Sequence, residues 1–277
     1  MVQKPAFGPR QIQMELKEAI QRRRTTNRAF LKKPVSEEHI RELIYAANRA
    51  PSHFNSQPWD FILIQDREMR NKIGDIAADS MKQLIGKGDF FKRYQKYFRF
   101  GKKEIENDKS GIHVDRIPAP LRPFISKVFG PTGIKVMNSL KVPSILGRDQ
   151  GKIVRESPLL LAFMLKKSEY RPGEKSGIYS LISMGAALEN LWLTATSLGM
   201  GIQFVSTPME VPQNWQKILK LLAVPDSHEL MAIYRLGYTS ESIKRPTIDW
   251  VSDQRREFED LVSFEFFGNR SRPQAGK

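Results

Sequence analysis

The chain has 277 residues, enough for one large domain or two small ones, and its 40% hydrophobic and 27% charged content is that of an ordinary globular protein. It has no cysteine, which excludes disulfides, thiolate metal sites, iron–sulfur clusters and cysteine nucleophiles, and its four scattered histidines form no zinc-binding pair. The formal net charge of +15 points to an anionic partner, a statement about encounter and not about fold, and residues 81–155 hold 17 Lys and Arg against 6 Asp and Glu.

No apolar signal-peptide core opens the chain, so the cytoplasm is the expected compartment. Residues 12–23 predict a helix with Ile12, Leu16 and Ile20 on one face. Pro34-Val35-Ser36 starts a second helix, with Ser36 as N-cap and Glu37 and Glu38 at the positive end of its dipole. Its apolar face is Ile40, Leu43, Ile44 and Ala47, and it stops before Pro51. Residues 60–65 read as a buried strand and 69–84 as a helix. From Gly86 to Gly147 the periodicity loosens. Phe90, Phe91, Tyr94, Tyr97, Phe98 and Phe100 interleave with Lys and Arg there, and Pro118, Pro120, Pro123, Pro131 and Pro143 interrupt the second half. This predicts an insertion with some helix lying over the core. Further on come a buried strand at 158–165, a helix at 180–198, an apolar run at 202–205, a helix at 208–222, a strand at 229–238 and a final helix at 247–263. Residues 180–205 are long and mostly apolar, but Glu189, Asn190 and Gln203 fit a buried helix better than a membrane span. The order fits a layered α+β or α/β domain over residues 1–277, without internal repeats.

Four constellations carry chemistry. The cluster Arg22-Arg23-Arg24-Thr25-Thr26-Asn27-Arg28 suits phosphate oxygens, which Arg forks bind bidentately, but equally suits a helix C-terminus where Arg meets the dipole. Lys244-Arg245-Pro246, just after a strand, either closes a phosphate site or is solvated loop charge. The run Pro51-Ser52-His53-Phe54-Asn55-Ser56-Gln57-Pro58-Trp59 joins a helix to a strand; it binds something flat and polar, or its side chains satisfy their own backbone. Small residues at Gly185, Ala186, Ala187, Thr194 and Ala195 permit close helix–helix approach, inside the chain or at a subunit interface. Gly199-Met200-Gly201 follows a helix instead of opening one, so it is no dinucleotide fingerprint; it ends the helix and lets backbone approach a ligand.

Together and in order these segments resemble the nitroreductase family of FMN-dependent oxidoreductases, along nearly the whole chain outside residues 86–147. The family's basic-x-Ser/Thr-x-basic-x-Phe pattern reads here Arg24-Thr25-Thr26-Asn27-Arg28-Ala29-Phe30. Its Pro-Ser-x-x-Asn-x-Gln-Pro-Trp is complete in Pro51, Ser52, Asn55, Gln57, Pro58 and Trp59. Its Gly-x-Ala-x-x-Asn-Leu-x-Leu-x-Ala helix appears as Gly185, Ala187, Asn190, Leu191, Leu193 and Ala195, and its late Gly-Tyr and Arg-Pro as Gly237-Tyr238 and Arg245-Pro246.

The resemblance implies an α+β fold with a central, mainly antiparallel sheet flanked by helices, a largely helical insertion at 86–147 acting as a lid, and a homodimer with FMN at the subunit interface. Arg24, Thr26, Lys244 and Arg245 are then expected at the phosphate. Thr25 stands where many members have a second Arg, so one phosphate contact is either lost or supplied by Arg23. Arg28 approaches the pyrimidine end, where positive charge stabilises reduced flavin. Lys152 matches a family lysine with the same task. Pro51, Ser52, His53 and Asn55 reach the flavin from the second subunit, and Val205, Ser206 and Thr207 present backbone to its N5 edge. NADH or NADPH is the implied donor, a nitroaromatic, quinone or related small molecule the acceptor, and ping-pong hydride transfer through N5 the implied mechanism, with no catalytic side chain required. Dehydrogenation, dehalogenation and flavin processing stay open on the same fold. Basic and aromatic residues between 87 and 103 also suit a nucleic-acid or membrane-surface binder. They match no known module, so neither nucleic acid nor membrane insertion is expected.

Overall fold

The computed structural model describes residues 14–99, 110–114, 130–171, 173–243, 250–251 and 254–270. Helix α1 covers Leu16–Arg22 and α2 Glu37–Asn48, and strand β1 is Trp59–Ile64. Ser36 caps α2 as expected, its hydroxyl accepting from the His39 N–H at 3.3 Å. A long helix α3 (Arg67–Lys87) and a short α4 (Asp89–Tyr94) follow. Strands β2 (Phe98–Arg99) and β3 (Ile112–Val114) and helices α5 (Pro131–Ser139) and α6 (Val142–Arg155) lie between them and the central strand β4 (Leu159–Lys166). Then come α7 (Ser176–Ser197), β5 (Met200–Phe204), α8 (Pro212–Leu221), β6 (His228–Tyr238), β7 (Trp250–Val251) and α9 (Phe258–Leu261).

The main sheet has the order β1-β4-β6-β5, and every neighbouring pair is antiparallel. The reason β4 reads as an unbroken apolar run is visible in its two faces. Leu159, Leu161, Phe163 and Leu165 belong to one buried cluster, with Leu43 and Ala47 of α2 and Ala187, Leu191 and Ala195 of α7. Leu160, Ala162 and Met164 belong to another, with Ile73 and Ala77 of α3, Val154 of α6 and Ile218 of α8. Successive side chains point to opposite faces of a strand, and helices cover both faces, so alternation disappears. The protein is thus α+β, with a mainly antiparallel four-stranded sheet and nine helices among the described residues. No described helix is long and apolar enough to cross a membrane.

The described residues form two compact units, one within 14–87 and 136–243, the other within 88–135 and 250–270. The second holds α4, a ring cluster in which Phe90 meets Phe91, Tyr94 and Phe98 at centroid distances of 5.6, 5.2 and 6.2 Å, and a small sheet. In that sheet β2 pairs with β3 in parallel and β3 with β7 antiparallel. The helix expected at 247–263 is therefore corrected. Strand β3 takes the backbone of Trp250–Val251, and only Phe258–Leu261 is helical among the described residues of that stretch. Phe100, Pro118, Pro120 and Pro123 of the insertion lie outside the described residues. Helix α1 also departs from its sequence reading: it buries Ala19, while Leu16 and Ile20 are exposed.

Candidate functional site

The segment 25–31 is fastened to β5 and β6 at four backbone points. The Thr26 N–H donates to the Ile202 carbonyl and the Leu31 N–H to the Tyr238 carbonyl, both at 2.9 Å. The Thr26 and Arg28 carbonyls accept from the Arg235 guanidinium at 2.7 and 2.9 Å. Two glycines make this close approach possible. A Cβ on Gly201 would stand 2.2 Å from Thr26 Oγ1, and one on Gly237 would stand 2.7 Å from Phe30 Cβ. Phe30 is buried, and the Arg235 guanidinium lies 4.5 Å from its ring centroid.

The basic side chains of the segment divide. Arg24 donates to the carbonyls of Gln21 and Arg23 at 2.6 and 2.8 Å, so it caps the last turn of α1. Arg23 lies 3.6 Å from Glu189 and 5.4 Å from the Trp192 ring centroid, both on α7. Arg28 makes no side-chain hydrogen bond or ion pair among the described residues. Thr25 is exposed and forms a bridge to Ile202.

The second polar segment, 51–58, sits against the other half of α7. The His53 N–H donates to Ser183 Oγ at 3.4 Å, and the His53 ring stacks on Tyr179 at 4.3 Å. Ser52 Oγ accepts from the Gln57 N–H at 3.0 Å, and Gln57 Nε2 donates to the Asn55 carbonyl at 3.3 Å. Much of the segment's polarity is thus satisfied internally. Its backbone is strained: Phe54, Asn55 and Gln57 have φ of 48°, 55° and 43°, a left-handed region costly to a side chain. Pro51, His53, Phe54 and Asn55 are exposed, Phe54 by 93%. Trp59, by contrast, is core, with its indole N–H on Asn48 Oδ1 at 2.9 Å. Residues 179–183 and 189–192 are about 14 Å apart along α7 at the helical rise, so the two segments meet different turns of that helix.

Of the residues expected at the N5 edge, Val205 is buried and its N–H donates to the Ile233 carbonyl at 2.8 Å. Thr207 is buried at the start of the 3-10 turn Thr207–Glu210, and its Oγ1 has no hydrogen-bond partner among the described residues. Lys152 is exposed on the last turn of α6, without a side-chain partner there. Lys244 and Arg245 lie outside the described residues.

Sequence reasoning missed two features. Arg235 is fully buried, and burial pushes its guanidinium down to about 9, which leaves it charged at neutral pH. Its signal was a lone charge within an apolar strand, Leu230–Tyr238. The other is a cavity of about 200 Å³ lined by His53, Ser168, Glu169, Arg171 and Tyr179, for which loop residues 168–171 gave no sequence signal.

The Nitroreductase family model matches residues 20–238. A Streptococcus pyogenes protein bearing the name of an NAD(P)H nitroreductase is 27% identical over 113 residues, 38% of this chain and 56% of that relative. An Archaeoglobus fulgidus protein named as an NADH dehydrogenase/NAD(P)H nitroreductase is 40% identical over 52 residues, 19% of this chain and 30% of the relative. The matched stretches thus span about half or less of these curated relatives. Among solved structures, iodotyrosine deiodinase bound to FMN and 3-iodo-L-tyrosine superposes with a TM-score of 0.55 at 21% identity, covering 91% of this chain and 100% of that one. A BluB-like flavoprotein of Clostridium difficile gives 0.54 at 20% identity, covering 91% and 99%. At such identities the likeness establishes the fold.

Proposed function

The chain belongs to the nitroreductase family, and from that premise we propose that it is an FMN-dependent oxidoreductase taking electrons from NADH or NADPH and passing them to a small nitroaromatic, quinone or related acceptor. FMN, when bound, would supply the redox chemistry, and a donor and an acceptor that take turns in one site would give ping-pong kinetics.

The observation that carries this reading is the 25–31 segment, clamped to the sheet while the Arg28 side chain stays unengaged among the described residues. A fixed backbone presenting a free guanidinium is what recognition of an anionic cofactor needs. The orphaned, buried Thr207 Oγ1 fits the same group, since a buried hydroxyl without a partner is costly unless a ligand satisfies it. Thr26 and Arg28 would hold the phosphate and pyrimidine sides, with Lys244, Arg245 and Lys152 adding positive charge. Arg24, which caps α1, would have to leave its carbonyls to join them. With the Val205 N–H committed to Ile233, the amides of Ser206 and Thr207 are the ones left to face N5.

Residues 51–55 would complete the site from a second copy. Support comes from exposed apolar side chains: Ile178, Tyr179, Leu181 and Ile182 on the stretch of α7 that meets His53 and, separately, Leu16 and Ile20 of α1. Large apolar side chains left exposed on helices suit an association surface, and a homodimer with two equivalent sites is the expected assembly.

The test is an absorbance spectrum of the purified protein before and after anaerobic addition of NADPH, then NADH, with the mass in solution from light scattering. Flavin bands that bleach on addition, in a particle of twice the chain mass, are the expected result. A colourless protein that fails to take up added FMN overturns the reading.

A further inference from the structure

Arg235 is an expensive residue for its position. It sits in β6 with none of its surface exposed, over the ring of Phe30, and no carboxylate contacts it among the described residues. Taking a guanidinium out of water without a counter-charge is strongly unfavourable. An aliphatic side chain would fill such a place in a sheet at no such cost. What offsets the burial is a set of neutral acceptors: the carbonyls of Thr26 and Arg28 on one Nη, Gln203 Oε1 on Nε at 2.5 Å, and the face of Phe30. The second Nη finds no partner among the described residues.

All of these partners belong to the polar segment or to the strand beside it. Two of the four backbone points fastening residues 25–31 are made by this one side chain. Arg235 turns the carbonyls of residues 26 and 28 inward, toward itself. The planar fork fixes their spacing in a way that a flexible ammonium does not. It also fixes an amide: a guanidinium only donates, so Gln203 must offer Oε1 and is left with its NH₂ as a donor for another group. A buried positive charge behind the segment further favours an anion in front of it, because the surrounding low dielectric screens it weakly.

We infer that Arg235 is the positioning residue of the anion-binding segment, holding Thr26 and Arg28 in the conformation that receives the phosphate-bearing cofactor. This rests on the FMN reading of the site, but the clamp itself is a property of the chain without ligand.

The experiment uses the full chain freed of flavin, in wild-type form and as R235M and R235K. Amide hydrogen exchange is followed at residues 24–31 and, as a reference, in β4. FMN affinity is measured by titration. Expected for R235M is exchange accelerated selectively at residues 24–31, with β4 protected as in wild type, and FMN bound about tenfold or more weakly. R235K keeps the charge but loses the fork, and is expected between the two. Should R235M not fold, the wild-type and R235K comparison decides alone. Unchanged exchange at residues 24–31 overturns the proposal, as does uniform loosening of segment and sheet with FMN affinity unaltered, because that is a merely structural role. A wild-type chain that binds no FMN would overturn the cofactor reading instead, and the exchange data would still decide whether Arg235 holds the segment.

Discussion

Residues 25–31 and residues 51–58 are the two polar segments through which this fold would meet its cofactor, and they are held by opposite means. The first is fastened from below, by backbone bonds to β5 and β6, by Arg235, and by a phenylalanine seated on a glycine. The second is held largely from within, by Ser52 and Gln57 bonds, and touches α7 through His53, in a backbone with three left-handed residues and an almost fully exposed Phe54. Core attachment gives precision at the cost of tolerance, since every packed atom has neighbours. Strain in an exposed segment tolerates change more readily, and an observed outlier of this kind motivates a hypothesis of function. The contrast teaches that the first segment owes its conformation to the sheet beneath it, whereas the second keeps left-handed residues and exposed side chains after folding.

The largest effect should come from breaking the first attachment. In Gly237→Ala the new methyl would lie 2.7 Å from Phe30 Cβ and Cγ and 2.8 Å from Pro158 Cγ. Phe30 is buried and Pro158 is a rigid ring, so neither gives way easily. Urea unfolding of the flavin-free protein should show a loss of about 1–3 kcal/mol, together with weakened FMN binding because Phe30 seats the segment. Wild-type stability in this variant would mean that the segment is not fastened to the core, and the contrast would fail on its first side.

An intermediate effect is expected inside the second segment. Ser52→Ala leaves the half-buried Gln57 N–H without its acceptor. The cost to stability should be about 1 kcal/mol, with the left-handed backbone relaxed. If residues 51–58 are shaped for a partner, dimer dissociation in sedimentation should respond more than unfolding does. A loss of stability as large as that of Gly237→Ala would place this segment in the core instead.

The readability of these features from sequence follows the same division. The strands over 59–64, 159–166 and 228–238 were legible because burial on one or both faces leaves apolar runs, and Ser36 was legible as a cap because its chemistry is local. The resemblance located both polar segments, yet not how either is held. Gly201 and Gly237 acquire meaning only from Thr26 and Phe30, far away in the chain. Arg24 shows the limit of residue type as evidence: the same guanidinium suits a phosphate or a helix end, and in this structure it caps the helix end. Helix α1 carries the same lesson, because a periodic apolar face proves burial only once something covers it, and Leu16 and Ile20 are uncovered within this chain. At 247–263 a non-local strand pairing overrode local periodicity.

The smallest cost to folding, and the sharpest test of the contrast, is Phe54→Gly. Phe54 has φ 48° and ψ 27°, is 93% exposed, and has the neighbouring His53 ring edge-on at 4.6 Å. A left-handed non-glycine residue costs about 1–2 kcal/mol, which glycine removes. Glycine's extra freedom in the unfolded chain takes back about 0.5–1 kcal/mol. The difference favours glycine by about 0–1.5 kcal/mol, so the stability of the dilute, flavin-free chain should not fall. One reason for a large apolar ring in this exposed, left-handed conformation would be contact with a second copy of the chain. If the reason is the second copy, the dimer dissociation constant of Phe54→Gly should rise by about tenfold, seen by sedimentation at falling concentration, while stability does not fall. A variant that dissociates like wild type would leave the strain of residues 51–58 without that partner, and the second half of the contrast would fall.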